Sequence, residues 1–149
     1  MRLLVGHDAA VAAFVADHDY PEAVEWLPGY RAFGVIRSDG ALVAGFVFDD
    51  WHPATKRIEL SSRAITPAAF SRQTITALGR YPFGQLDCFR VTAKTSVDNK
   101  RCRKILEGIG FTQEGTMVSF YGPGKHAVIY RVTRPEWERR WGNDLRQAA

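Results

Sequence analysis

Two strand–helix–strand units occupy the second half of the chain, and they constrain the fold more than any other feature. The first runs from KRIELSSRAI through a helix that begins at Thr66-Pro67 and ends in LDCFRVTAKT. The second continues from that strand through a helix capped by Asn99 to TQEGTMVSFYG. A helical crossover returns the chain in its original direction, so each unit predicts two neighbouring parallel strands.

The rest of the chain predicts antiparallel strands. His7–Asp19 reads as an alanine-rich helix, and RAFGVIR and ALVAGFVF flank SDG in the pattern of a hairpin. DDWHPAT predicts a second turn, and the helix begun at Thr66 is expected to continue to Phe83. HAVIYRVT predicts a last strand, and 135–149 a terminal helical tail. The class is therefore mixed α/β.

Length and composition predict one folded domain over residues 1–149. Hydrophobic residues make up 46% and charged residues 24% of the 149 positions, which is close to the globular average. No apolar run approaches the length of about 18 residues that a membrane span needs. MRLLVGHDAA is too short for a secretion signal, so we expect a cytoplasmic protein without a membrane partner. The net charge of +4 is compatible with an anionic partner.

Cysteine and histidine usage limits the chemistry further. Cys88 and Cys102 are too few for a disulfide framework or a structural zinc site, and no metal is expected. His52, in DDWHPAT, is a candidate base at a loop tip or an ordinary turn residue.

The segment from Asn99 to Gly115 reads N-x-x-C-x-x-I-L-E-x-I-G-F-x-x-E-G, and it is preceded by YPFGQLDCFRVTAKTSVDN. Both resemble GNAT-superfamily N-acyltransferases, in particular the branch of ribosomal-protein and small-amine acetyltransferases. The resemblance covers roughly residues 57–134. It implies a mostly antiparallel central sheet with one splayed parallel strand pair and helices on both faces.

The same resemblance implies acetyl-CoA as co-substrate. The pantetheine arm would pair with the strand edge in SSRAI, and the pyrophosphate would lie on the start of the helix in TPAAFSR, where free N–H groups favour anions. One or two of the cations in NKRCRK would meet the 3′-phosphate. The implied cofactor-binding residues are Ala64, Ile65, Ala69, Phe70, Ser71, Arg72, Asn99 and Arg103.

Two positions depart from the family pattern. Pro67 to Ser71 stand where the phosphate loop usually has Gly-x-Gly-x-Ala, and Pro67 lacks an N–H donor. The usual tyrosine general acid aligns with Leu106.

Amine acylation needs a base and a proton for the leaving thiolate. Glu59, the one carboxylate in KRIELSSRAI, is the candidate base, with a solvent-facing strand residue as the plainer interpretation. Tyr121 is the candidate acid, and Ser61, Ser62 and solvent are alternatives.

The acceptor is less constrained by the sequence. Trp26, Tyr30, Trp51 and Tyr121 are candidate walls of its site, although core packing explains each of them as well. A primary amine of a small molecule or protein is the expected acceptor. A nucleic-acid-modifying relative, like the Mom-type bacteriophage branch, and a degenerate binding protein without chemistry are the alternatives. A homodimer paired through terminal strands is also possible.

Overall fold

The computed structural model describes residues 1–16 and 26–143. Within these residues, seven strands form one sheet: β1 (Arg2–Leu4), β2 (Arg31–Ile36), β3 (Leu42–His52), β4 (Arg57–Ala64), β5 (Arg90–Ser96), β6 (Thr112–Met117) and β7 (Ala127–Thr133). The same described ranges contain four α-helices: α1 (Asp8–Ala16), α2 (Arg72–Gly79), α3 (Lys100–Ile109) and α4 (Arg134–Trp141). None of the helices in these two described ranges is long and apolar enough to cross a membrane.

The strand order is β1-β2-β3-β4-β5-β7-β6, and every neighbouring pair is antiparallel except β4–β5. The parallel pair predicted for the first strand–helix–strand unit is confirmed. The prediction for the second unit was wrong, because β7 lies between β5 and β6. The two strands run in the same direction but do not touch.

Helices cover both faces of the sheet. On one face, Val11 of α1 lies over both Gly34 and Gly45, and Val15 lies over Gly45. An added Cβ would come within 2.7 Å of Val15 at Gly45 and within 3.2 Å of Val11 at Gly34. These glycines therefore let α1 lie close to the sheet. Helices α2, α3 and α4 cover the other face, over the larger core, which includes Phe46, Phe48, Leu106, Tyr130 and Trp137.

The helix expected from Thr66 to Phe83 is divided into three parts. Thr66 does cap a first turn, as predicted, by accepting from the Ala68 N–H, but this 3-10 turn (Pro67–Ala69) ends at Phe70. Ser71 then caps α2 by accepting from the Thr74 N–H at 3.2 Å. After α2 the backbone widens into a π-helix over Arg80–Gln85.

Two other features differ from the sequence expectation, and two further expectations fall outside the described residues. The prediction of a turn over DDWHPAT was wrong for its first half, because β3 continues to His52. β1 was not predicted, because three residues give too short a pattern to recognise. The end of the His7–Asp19 helix and the last residues of the 135–149 tail lie outside the described residues.

The cysteines are both free, as expected for a chain without a disulfide framework. Burial raises the pKa of the Cys88 thiol to about 11, so this side chain packs as a small apolar group.

Candidate functional site

A V-shaped gap opens between β4 and β5. Their ladder ends at Leu60 and Ala93, although β4 continues to Ala64 and β5 to Ser96. Beyond that point β4 remains paired with β3 and β5 with β7. Within the described chain, the two strands therefore diverge, and the expected splayed pair is confirmed.

Backbone groups of β4 line this gap. The Ile65 N–H donates to the Val43 carbonyl of the β3 side at 2.9 Å. Because hydrogen bonding alternates along a strand, Arg63 and Ser61 also direct their backbone groups toward β3, whereas Ser62 and Ala64 direct theirs toward the gap. An extended ligand that carries amide groups can pair with such a strand edge.

The amino ends of two helices lie at the open end of the gap. Helix α2 follows β4, and α3 follows β5 after a short turn in which the Asn99 side chain accepts from the Cys102 N–H at 3.1 Å. Helix dipoles make such ends favourable positions for anions. Strand edge and helix ends together suit a long, anionic ligand that bears amides.

The residues predicted to bind the cofactor lie along this path. Ala64 ends β4 and Ile65 follows it, with 46% of its surface exposed. Ala69 is buried, and the Phe70 ring packs edge-on against Phe46 with 5.7 Å between centroids. These residues connect the end of β4 to α2, which Ser71 caps as described above, and their role in cofactor binding stays a prediction.

The two predicted arginines make contacts within the protein. The Arg72 guanidinium lies 5.6 Å from the Trp141 ring of α4. Arg103 donates to the Tyr130 hydroxyl and the Val97 carbonyl, each at 3.1 Å, and to the Gln113 side chain at 3.4 Å. Arg103 thus links α3 to the sheet, and a role in phosphate binding stays a prediction.

Other cations of the same helix are more accessible. Lys100, Arg101 and Lys104 line a shallow depression of about 370 Å³ on α3, together with Arg103 and Glu107. Their position near the amino end of α3 suits a phosphate group outside the gap.

The candidate base lies beside the closed end of the gap. Glu59 pairs with Asp49 on β3 and with Thr92 on β5, one residue before the ladder ends. Its carboxylate is about one-third exposed, on the α1 face of the sheet, and lies 3.3 Å from the Lys94 ammonium. Glu59 and Lys94 therefore mark the vertex of the V.

Asp49 is a site residue that the sequence analysis missed. Its carboxylate accepts the Leu27 N–H at 3.3 Å and lies opposite Glu59 across the β3–β4 ladder. Burial, and to a lesser extent the charge of Glu59, raises the pKa of Asp49 above its usual range. The Asp-Asp-Trp-His-Pro run had suggested a turn, which concealed a carboxylate aligned with Glu59.

We expect Asp49→Asn to change the pH dependence of stability. A raised carboxyl pKa means that the native state binds the proton more tightly than the unfolded chain does. The contribution of Asp49 to wild-type stability is therefore greatest in acid and is lost as the pH rises from 3.8, the ordinary value, through the raised pKa. The variant lacks this loss, so its stability relative to wild type should increase toward neutral pH in urea-unfolding curves.

Asp39, in the turn between β2 and β3, provides the control of opposite sign. The Ala41 N–H, 3.0 Å from the carboxylate, lowers the pKa of Asp39. Asp39→Asn should therefore lose stability relative to wild type toward neutral pH. If both variants shifted in the same direction, the environment assigned to Asp49 would be incorrect.

The candidate acid Tyr121 lies on a different element from Glu59. Tyr121 lies in the β6–β7 turn, its ring 5.1 Å from that of Phe120, which is in turn 5.1 Å from the Lys94 ammonium. A chain of contacts through Phe120 and Lys94 thus connects Tyr121 with Glu59. Leu106, which stands where the tyrosine acid was expected, is buried in the core.

The remaining polar candidates lie on β3 and β4. Ser61 shares the α1 face with Glu59, whereas Ser62 faces α2. His52 pairs with Asp50 at 2.8 Å, beside the start of β4 and therefore away from the gap.

The candidate wall residues divide into two groups. Trp26 and Tyr30 pack with the α1 cluster, with ring centroids 6.4 Å apart, next to the Leu27 that binds Asp49. Trp51 is 47% exposed near the end of β3. Trp26 and Tyr30 thus flank the carboxylate pair, whereas Trp51 lies further along.

No protein-family model and no curated protein matches the sequence. Solved structures do. A mutant form of the spermidine N-acetyltransferase SpeG from Vibrio cholerae is 15% identical and superposes with a TM-score of 0.70, covering 94% of this chain and 99% of the other. The chain has the GNAT fold.

Two further structures agree with this fold. A dodecameric spermidine N-acetyltransferase from Vibrio cholerae is 18% identical, with a TM-score of 0.62 over 76% of this chain and 70% of its own. A protein described as a probable acetyltransferase is 22% identical, with a TM-score of 0.63 over 74% and 64% of the two chains. The GNAT fold inferred from the Asn99–Gly115 motif is therefore confirmed.

Proposed function

We propose that the chain is an N-acyltransferase that moves an acetyl group from acetyl-CoA to a primary amine by direct attack in a ternary complex. The observation that carries this proposal is the V-shaped gap with a carboxylate at its vertex. The acetyltransferase structures that share the fold support the reaction class.

The cofactor would lie along the gap. Its pantetheine amides would pair with the backbone of Ser62 and Ala64, and its pyrophosphate would lie at the amino end of α2. Lys100, Arg101 or Lys104 would meet the 3′-phosphate in the α3 depression. Since Pro67 lacks an N–H and the usual glycines are missing, fewer backbone donors are available than in a glycine-rich loop, and we expect modest affinity.

The acceptor amine would approach from the α1 face. Glu59 would take a proton from the amine, which then attacks the thioester carbonyl at the vertex. The leaving thiolate would receive its proton from Tyr121 or from solvent. Because Asp49 and Glu59 place two carboxylates on this face, a cationic amine of a small molecule or protein is the acceptor that fits best. We place this activity in the cytoplasm, which suits the two free thiols.

A thiol-release assay with acetyl-CoA and a panel of amines tests the proposal. Release that depends on a particular amine would support it. Calorimetry that shows no acetyl-CoA binding at sub-millimolar concentration would favour a binding protein without chemistry. Steeply salt-dependent binding to DNA, with acetylation of a base, would favour the nucleic-acid alternative.

Substitutions of Asn99 separate its role as the N-cap of α3 from its proposed role in binding the pantetheine arm. Asn99→Ala should cost about 1 kcal/mol in urea unfolding, because α3 loses its N-cap. Asn99→Ser keeps a capping oxygen, so stability should change little, while loss of the amide that meets the pantetheine arm should raise the KM for acetyl-CoA. An unchanged KM in the serine variant would leave Asn99 with a purely structural role.

A further inference from the structure

Lys94 is the first residue of β5 beyond the last β4–β5 pair. A ligand arm that enters at the amino ends of α2 and α3 and runs along the gap would end at this vertex. The reacting end of such an arm would therefore stop beside Lys94.

The Lys94 side chain is held in place from two directions. Its ammonium lies 3.3 Å from a Glu59 carboxylate oxygen and 5.1 Å from the centroid of the Phe120 ring. The positive charge of Lys94 also offsets part of the rise in the pKa of Asp49, which lies on the far side of Glu59. With 28% of the side chain exposed, Lys94 is neither buried in the core nor fully in solvent.

This geometry gives Lys94 three features that an acceptor amine requires. A carboxylate lies at ion-pair distance, and the Phe120 ring limits the movement of the side chain. The acyl end of the cofactor is expected beside the ammonium. We propose that Lys94 is a self-acetylation site. This inference rests on the proposed function.

The chemistry is that of amide formation from a thioester. The neutral Nζ attacks the thioester carbonyl carbon, the new N–C bond forms, and the C–S bond breaks with its electron pair on the CoA sulfur. Of the two protons that the ammonium gives up, one passes through Glu59 to solvent and the other ends on the CoA thiol. No oxidant or further reactant is needed.

Acetylation would change the site in a defined way. The product amide carries no charge, so it no longer pairs with Glu59. The two carboxylates then face an open position that the ammonium group of an external acceptor can fill. The unmodified lysine would compete with that acceptor for Glu59.

The test incubates the purified full chain with acetyl-CoA alone and follows it by intact mass and peptide mapping. Lys56 serves as the internal comparison, since its ammonium pairs with Asp87 at 3.2 Å, it is 57% exposed, and it lies outside the gap. If exposure alone governed reactivity, Lys56 would react faster. We expect Lys94 to be modified at least about tenfold faster, an enhancement smaller than a positioned base typically supplies.

Variants locate the reaction and its cause. Lys94→Arg should abolish the first acetyl increment while keeping a cation beside Glu59, and Lys56→Arg should leave that increment unchanged. Glu59→Gln should slow modification of Lys94 but not of Lys56. Equal rates at the two lysines, or an unchanged rate in Glu59→Gln, would overturn the inference.

The outcome also distinguishes this inference from the proposed function. Transfer to an external amine while Lys94 stays unmodified would remove the self-acetylation site and leave the acyltransferase. Absence of both thiol release and modification would remove both.

Discussion

Glu59→Gln is expected to lower kcat/KM for the acceptor amine by about 10² to 10⁴, the usual contribution of a positioned general base. The substitution keeps the size of the side chain but removes the group that accepts the proton. The ion pair with Lys94 is lost as well, but Glu59 is partly exposed, so stability should change by less than about 1 kcal/mol. Steady-state kinetics and a pH–rate profile measure the effect.

Glu138→Gln is a matched control for this variant. Glu138 is also ion-paired, with Arg134 at 3.1 Å, and its side chain is 35% exposed, against 34% for Glu59. It lies on α4, across the sheet from the candidate base. The control should retain wild-type kinetics; a Glu59→Gln variant with the same rate and pH profile as wild type would exclude Glu59 as the base.

Gly79→Ala is expected to destabilise the fold by about 1 to 2 kcal/mol, the cost of overpacking a core less the gain in helix propensity. Gly79 lies in the last turn of α2 and is buried against Trp137. An added Cβ would overlap the indole ring, coming within 2.6 Å of its nitrogen. The ring is packed against Phe83 and Trp141, so it has little space to move away.

Gly108→Ala in α3 is a control variant for which the expected change in stability has the opposite sign. An added Cβ there meets nothing within 4 Å. The higher helix propensity of alanine should therefore stabilise this variant by up to about 1 kcal/mol. Urea unfolding measures the free energy of unfolding of both variants. A stabilised Gly79→Ala would mean that α2 and α4 are not packed as described.

Local sequence patterns predicted the elements that local chemistry determines. Thr66 and Asn99 were identified as caps because each is a short polar residue directly before a helical segment, and Pro67 follows Thr66 at the first helical position. Gly110 ends α3 with a φ of 116°, in the left-handed region that glycine tolerates. The parallel β4–β5 pair followed from the crossover rule.

The order of distant strands could not be read in the same way. β6 and β7 are joined by a short turn and pair with each other, but either could have been placed beside β5. The apolar residues Val128, Tyr130 and Val132 favour β7 for the interior position, whereas β6 carries polar and small residues. This difference in apolar content is already present in the sequence.

The sequence predicted only part of the candidate site, because the rest also depends on which strands pair. Glu59 stood out as the one carboxylate in its strand, and whether it is the base stays a prediction. Asp49 and Lys94 approach it only through the pairing of three strands, which no local pattern shows. The V-shaped gap was expected from the family resemblance and is confirmed by the ladder that ends at Leu60.

Helix α1 packs on β2, β3 and β4, and no other helix of the described residues lies on that face of β5, β7 and β6. Among the described residues, no helix therefore covers that side of the half of the sheet that bears Lys94, where the Phe120 ring approaches the ammonium. The described residues by themselves set no narrow limit on the bulk of an incoming molecule. Selectivity for the acceptor would then depend more on charge at Asp49 and Glu59 than on the shape of an enclosing pocket. A lysine or amino terminus of a large polypeptide could enter as readily as a small free amine.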